Sequence, residues 1–164
     1  DEIANASPTL QVKLLRVLEE RQFEPVGSNK TITVDTRIIL ASNRDLKEEV
    51  RQGRFREDLY YRINVVTIDL PPLSERVGDV RLLAKHFLHL HCARHHREKL
   101  GITDEALEYL ERYPWPGNVR ELENVIERAV LLSKNKFITP EDLPSCIIQQ
   151  QNWRWNSYKP ISLK

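Results

Sequence analysis

Apolar residues first recur at helical spacing in Leu10, Leu14, Val17 and Leu18, directly after Ser7-Pro8. Serine is a good N-cap and proline suits the first helical position, so the pattern predicts an amphipathic helix from there to about Glu20. From Phe23 to Asn43 the pattern changes to β-branched runs. Residues 31–34 read as one strand and 37–41 as a second. The run Ile38-Ile39-Leu40-Ala41 does not alternate, which predicts a strand buried on both faces of a parallel sheet flanked by helices. Helices over about 45–52 and 55–63 follow, then a strand over 65–70. Strand and helix alternate, which predicts an α/β layered domain over 1–72.

Past Pro71-Pro72 the pattern is helical only, over about 77–98, 104–112 with Thr103 as cap, and 118–133, with a short start at Thr139-Pro140. A small all-α domain is expected over 73–147. The tail 148–164 carries Gln149-Gln150-Gln151, Trp153 and Trp155 without periodicity and is expected to be disordered.

Composition narrows the function classes. The 164 residues are 40% hydrophobic and 30% charged, with 25 basic against 24 acidic side chains. That near balance is not the basic excess of a nucleic-acid or anionic-membrane binder. No apolar window is long enough to span a bilayer, and no signal peptide opens the chain. Cys92 and Cys146 make no disulfide framework, so a cytoplasmic location is expected. There is no methionine, so a chain opening Asp1-Glu2-Ile3 is expected to be processed or a fragment.

Several residues carry candidate chemistry. Asp1-Glu2 is an acidic pair; at a strand end in a P-loop hydrolase such a pair holds Mg²⁺ and orients water, whereas on a surface it is merely solvated. Asn43 follows the apolar run 38–41, where a strand end contacts ligands; alternatively, Ser42-Asn43 caps the next helix. Arg62 falls beside the stripe of Phe55, Leu59 and Ile63. Either Asp58 neutralises it at i−4 or it meets an external anion, as an arginine finger does. Arg120 lies in the first turn of its helix, the wrong end for a cation unless an anion binds there or Glu121 and Glu123 pair with it. His86, His89, His91, His95 and His96 share one predicted helix with Cys92, at spacings open to a metal site or to a solvated face.

Taken together, Ala41-Ser42-Asn43-Arg44-Asp45-Leu46, Phe55-Arg56-Glu57-Asp58-Leu59-Tyr60-Tyr61-Arg62, Leu70-Pro71-Pro72-Leu73 and Tyr113-Pro114-Trp115-Pro116-Gly117-Asn118-Val119-Arg120-Glu121-Leu122 resemble one family. They are similar, in order and spacing over about residues 1–147, to the second half of the AAA+ domain of sigma-54-dependent transcriptional activators, the bacterial enhancer-binding proteins. The resemblance implies part of an AAA+ P-loop NTPase parallel sheet with flanking helices, followed by a small helical lid. It implies a cytoplasmic ATPase that forms a ring, usually a hexamer, and remodels sigma-54 RNA polymerase holoenzyme into an open complex, with ATP and Mg²⁺ as cofactors.

By the same resemblance Asp1 and Glu2 match the Walker B pair, for Mg²⁺ and water respectively, and Asn43 matches sensor I. Arg56 and Arg62 match the arginines that reach a neighbouring subunit's ATP. Arg120 matches the sensor II arginine of the lid. The phosphate-cradling Walker A loop, the GAFTGA loop that touches the sigma factor and a helix-turn-helix DNA-binding element are not found in the 164 residues. The resemblance therefore implies an inactive fragment of an active parent that reaches DNA only through a domain lying elsewhere. The alternative is a non-catalytic module that assembles with intact AAA+ subunits.

Overall fold

The computed structural model describes residues 1–149 except 29 and 99; most of the tail expected to be disordered therefore lies outside the described residues. The chain divides into two compact units, the first Asp1–Asp69 and the second beginning at Leu70.

In the first unit a single 3-10 turn, Ile3–Asn5, leads into α1, Pro8–Glu20. The start of α1 is local chemistry: the Ser7 hydroxyl accepts the Leu10 N–H at 3.3 Å, and Pro8 occupies the first turn. β1, Gln22–Phe23, pairs antiparallel with β2, Ile32–Thr33, in the register Gln22↔Thr33 and Phe23↔Ile32. α2, Leu46–Arg51, and α3, Glu57–Ile63, complete the unit. Its core is small: Ile3, Phe55 and Leu59 are buried, and Leu14, Leu15, Leu18, Leu40 and Val50 pack around them.

The expected strands over 37–41 and 65–70 do not form. These residues are outside any ladder, and Ile39, Val65, Val66 and Ile68 are about four-fifths exposed. An apolar run becomes a strand only when neighbours satisfy its N–H and C=O groups. Here the 37–41 segment has one such bond, from the Ile3 N–H to the Ala41 carbonyl at 3.0 Å.

The second unit follows the helical pattern more closely. A 3-10 turn, Leu73–Glu75, precedes α4, Asp79–Arg94; α5 is Asp104–Arg112 and α6 is Asn118–Leu132. α4 is shorter than the expected 77–98. Gly78 at its N-cap is left-handed, with φ of 84°, and His96 turns the chain out of the helix with φ of 51°. One departure from an all-helical pattern is a two-residue parallel pair: β3, Gly101–Ile102, beside β4, Phe137–Ile138. α5 and α6 form the crossover that a parallel pair requires. A Cβ on Gly101 would lie 2.5 Å from the Phe137 ring, so a larger residue would have to push that exposed ring aside.

α4 packs mainly on α6 and also on α5. Between them lies a continuous core that includes Ala84, Leu88, Leu107, Leu110, Trp115, Leu122, Ile126 and Val130. Residues 145–149 are helical, and Ile148 packs against that core. Among the described residues no helix is long and apolar enough to cross a membrane.

Candidate functional site

The Ile3–Ala41 backbone bond sets the geometry of the first unit's polar end. It fixes the residue after Asp1-Glu2 against the residue two before Asn43, so the acid pair and the amide emerge from adjoining segments. Both carboxylates are exposed. Asp1 accepts the Glu2 N–H at 3.0 Å, and Glu2, in a left-handed conformation with φ of 52°, accepts from the Asn5 amide at 2.9 Å.

Asn43 does not cap the next helix. That position belongs to Asp45, whose carboxylate accepts the Lys47 N–H at 2.8 Å, while the Ser42 hydroxyl turns back on Arg44. The Asn43 amide is exposed and makes no side-chain hydrogen bond among the described residues. The capping alternative fails on position: Asp45 directly precedes Leu46, the first residue of α2, whereas Ser42 and Asn43 lie too far upstream.

The Asp58–Arg62 ion pair, the structural alternative for Arg62, is also absent. Asp58 is held by Arg56 in a two-pronged contact at 3.0 and 2.5 Å, an exposed pair that keeps the aspartate below its usual range and Arg56 above its own. Arg62 lies on the exposed side of α3 and donates to the Leu18 carbonyl at 3.0 Å, satisfying one of the open acceptors at the end of α1. It has no carboxylate partner among the described residues. Of the two arginines, Arg62 is thus the one whose charge is not already neutralised.

Two residues that sequence patterning does not single out hold this region together. Gln11, 1% exposed, donates to the Ala6 carbonyl at 2.9 Å and the Arg54 carbonyl at 3.0 Å and accepts the Arg56 N–H at 2.9 Å. It clamps the entry to α3 onto α1. The signal was available: Gln11 shares the helical stripe with Leu14, Leu15 and Leu18. Gln11→Ala removes three part-buried hydrogen bonds to the backbone and is expected to cost about 1–3 kcal/mol. Urea unfolding of the whole chain measures that loss.

Glu49, the second such residue, is buried and receives Arg54 at 2.6 and 2.7 Å, with Arg44 3.8 Å away. The Arg54 hydrogen bonds lower the Glu49 carboxyl below its usual range against the opposing effect of burial. A carboxyl lowered in the folded state adds stability that is present above its unfolded value and lost as pH falls through the folded one. The thermal midpoint of the first unit is therefore expected to hold from pH 7 to about 5 and to drop below about 4.3. Glu49→Gln should flatten part of that acid limb in calorimetry.

In the second unit the stretch 113–122 is a turn anchored by its own side chains. Trp115, 1% exposed, donates its indole N–H to the Leu110 carbonyl at 2.8 Å. The Asn118 side chain accepts the Leu73 N–H at 2.8 Å, joining this motif to Pro71-Pro72-Leu73. Glu121 accepts the Gly117 N–H at 2.8 Å and the Tyr113 hydroxyl at 3.2 Å; burial, then Glu121, pushes that tyrosine upward. A Cβ on Gly117 would lie 2.8 Å from the Glu121 Cβ, so a larger residue would displace this cap.

Glu121 is thus occupied and Glu123 faces His91 of α4, which leaves Arg120 exposed with no ion pair among the described residues. Arg120 and Arg128 line an open groove of about 500 Å³ at the start of α6, with Gly117, Asn124 and Pro144. The groove therefore carries two guanidinium groups beside a helix N-terminus, against one carboxylate, Glu121, that is hydrogen-bonded to the Gly117 N–H and the Tyr113 hydroxyl.

The histidines separate. His86, His89 and His96 are exposed, as on a solvated face, and Cys92 belongs to the core, so these four do not gather into one ligand set. His91 is 1% exposed and lies beside His95, with ring centroids 6.1 Å apart and planes 18° from parallel.

The model of the sigma-54 interaction domain family matches residues 1–69, and that of the AAA+ ATPase lid domain family matches residues 74–157. Transcriptional regulatory protein ZraR of Klebsiella oxytoca is 52% identical over 147 residues, 90% of this chain and 33% of that protein. The Nif-specific regulatory protein of Azospirillum brasilense is 54% identical over 152 residues, 93% of this chain and 24% of that protein. A crystal structure of NtrX from Brucella abortus in complex with ADP superposes with a TM-score of 0.83 at 35% identity, covering 91% of this chain and 35% of that one. Another NtrX crystal structure, in complex with ATP, gives 0.82 at 32% identity, covering 100% and 36%. The chain spans a third or less of the two regulatory proteins.

Proposed function

The chain belongs to the family of sigma-54-dependent transcriptional activators, with the AAA+ domain as its fold, and from that membership we propose that it supplies the hydrolysis-sensing and lid portions of an ATPase. That ATPase couples ATP binding and hydrolysis to remodelling of sigma-54 RNA polymerase holoenzyme for open-complex formation. It works in the cytoplasm as a ring, in the family's usual form a hexamer, and reaches DNA through a domain outside these residues.

The observation that supports the reading is the Ile3–Ala41 backbone bond, which joins the segment that carries the acid pair to the segment that carries an amide left unused by the helix it precedes. Asp1 offers an exposed carboxylate with one oxygen not taken by the Glu2 N–H, a hard donor of the kind Mg²⁺ takes, directly or through water. Bound there with ATP, Mg²⁺ supplies charge neutralisation on the phosphate oxygens. Glu2, oriented by Asn5, draws the proton of the attacking water, and Asn43 fixes that water's position. Arg62 reaches across to a neighbouring subunit's phosphates, and Arg56 does so only by releasing Asp58. Arg120 contributes positive charge to the nucleotide bound by its own subunit.

The purified 164-residue chain is expected to show no ATP turnover, because no phosphate-cradling loop is found among its residues. Turnover by that chain, abolished by Arg62→Ala, would overturn this. In the ATPase that carries the segment, Asn43→Ala should lower kcat about a hundredfold while nucleotide affinity changes only a few-fold. Equal losses in both would refute a water-positioning role.

The exposed runs 38–39 and 65–68 favour a second reading, a non-catalytic module that assembles with intact AAA+ subunits through those apolar residues. Co-elution with an intact family member and a changed turnover would support it.

A further inference from the structure

We propose that His91, His95 and Glu127 form a binding site in the helical unit for a divalent transition metal of the zinc class. The starting point is His91. It is 1% exposed, and neither of its ring nitrogens has a hydrogen-bond partner among the described residues. A buried polar group left this way is costly and calls for a partner.

The partner geometry is present. Glu127 Oε1 lies 3.4 Å from His91 Nδ1 and 3.0 Å from His95 Nε2, and one donor atom from each of the three residues falls within 4.8 Å of the others. Metal–ligand bonds of about 2.0–2.1 Å in a tetrahedral site put neighbouring ligand atoms about 3.3–3.4 Å apart, close to both observed separations.

The site draws on two elements. His91 and His95 sit one helical turn apart at the end of α4, and Glu127 comes from α6, the helix against which α4 packs most extensively. The other ring nitrogen of His91, Nε2, faces Glu123 Oε1 at 3.7 Å. A carboxylate behind a ligating imidazole fixes its tautomer and raises its basicity. Two imidazoles and one carboxylate select Zn²⁺, Co²⁺ or Ni²⁺ over Mg²⁺ or Ca²⁺.

His95 and Glu127 are partly exposed, with side chains 27% and 29% accessible, so the fourth position opens to water. The competing cation is Arg94, 3.9 Å from the same Glu127 oxygen on an exposed side chain that is free to swing away. The other way to satisfy His91 is a second ring proton, which would turn both nitrogens into donors facing Glu123 and Glu127, with His95 and Arg94 as the further cationic groups around Glu127.

Co²⁺ added to the untagged chain at neutral pH tests the choice between metal and proton. The expected result is the intense visible absorption of four-coordinate Co²⁺, saturating at one equivalent and displaced by Zn²⁺, with Zn²⁺ raising the thermal midpoint until a chelator is added. His95→Ala and Glu127→Gln should each weaken binding about tenfold or more, and His89→Ala, an exposed histidine of the same helix, should leave it unchanged. A weak six-coordinate spectrum, or an affinity untouched by both His95→Ala and Glu127→Gln, would overturn the proposal. So would an equal loss in His89→Ala. Glu127→Gln keeps the side-chain shape and makes the test independent of whether His95→Ala folds.

Discussion

Arg62→Ala in the ATPase that carries this segment is expected to lower kcat about a thousandfold or more, the scale of a lost arginine finger. Nucleotide affinity should change far less, because the guanidinium acts on charge that develops as the phosphoryl group transfers. The structure separates this from a folding defect. Arg62 is exposed and its one hydrogen bond is to the Leu18 carbonyl, so removing it should cost about 1 kcal/mol of stability or less.

Arg62→Lys should not rescue activity, since an ammonium lacks the planar fork that spans two phosphate oxygens. If the arginine acts on a neighbour's ATP, mixing Arg62→Ala subunits with Glu2→Gln subunits restores partial turnover: each supplies the group the other lacks. Absence of complementation, with both variants folded and assembled, would refute action between subunits.

Trp115→Ala is expected to destabilise the helical unit by about 3–5 kcal/mol, a loss comparable with the whole stability of a domain this size. The indole is among the largest fully buried side chains, its ring meets Tyr113 edge-on at 5.0 Å, and its N–H bonds the Leu110 carbonyl. Truncation leaves a cavity and an open carbonyl at the end of α5. Trp115→Phe should cost only about 1–2 kcal/mol, since it keeps most of the packing and loses the hydrogen bond. Urea unfolding followed by circular dichroism distinguishes the two. Trp115 also sets the turn from which α6 starts, so the alanine variant should displace Arg120 as well.

Helix starts were readable because they are decided within a few residues. Ser7-Pro8 and Thr103 cap where their side chains reach the backbone two or three positions on, whatever lies elsewhere. The strands over 37–41 and 65–70 were misread because a strand is completed by another segment, and an apolar β-branched run carries no record of whether its neighbour is in place. Candidate residues divide in the same way. Their types and order were visible, but the contest for Asp58 was not: Arg56, two residues before it, takes the carboxylate that was one of the two alternatives for Arg62, four residues after it. Gln11 and Glu49 were missed because their bonds join positions more than forty residues apart, or turn a charged residue inward against its composition.

By itself the sequence determined the periodicity of α1 and of α4–α6, the caps, and the run of motifs that identifies the family. Each depends on neighbours along the chain. Only the tertiary structure decided that the Asn43 amide is not used as a cap and that, among the described residues, Arg62 stands without a carboxylate and His91 is buried with two unpaired nitrogens facing acids on another helix. Those outcomes turn on which of several donors and acceptors come within about 3 Å of one another, and packing alone sets that distance.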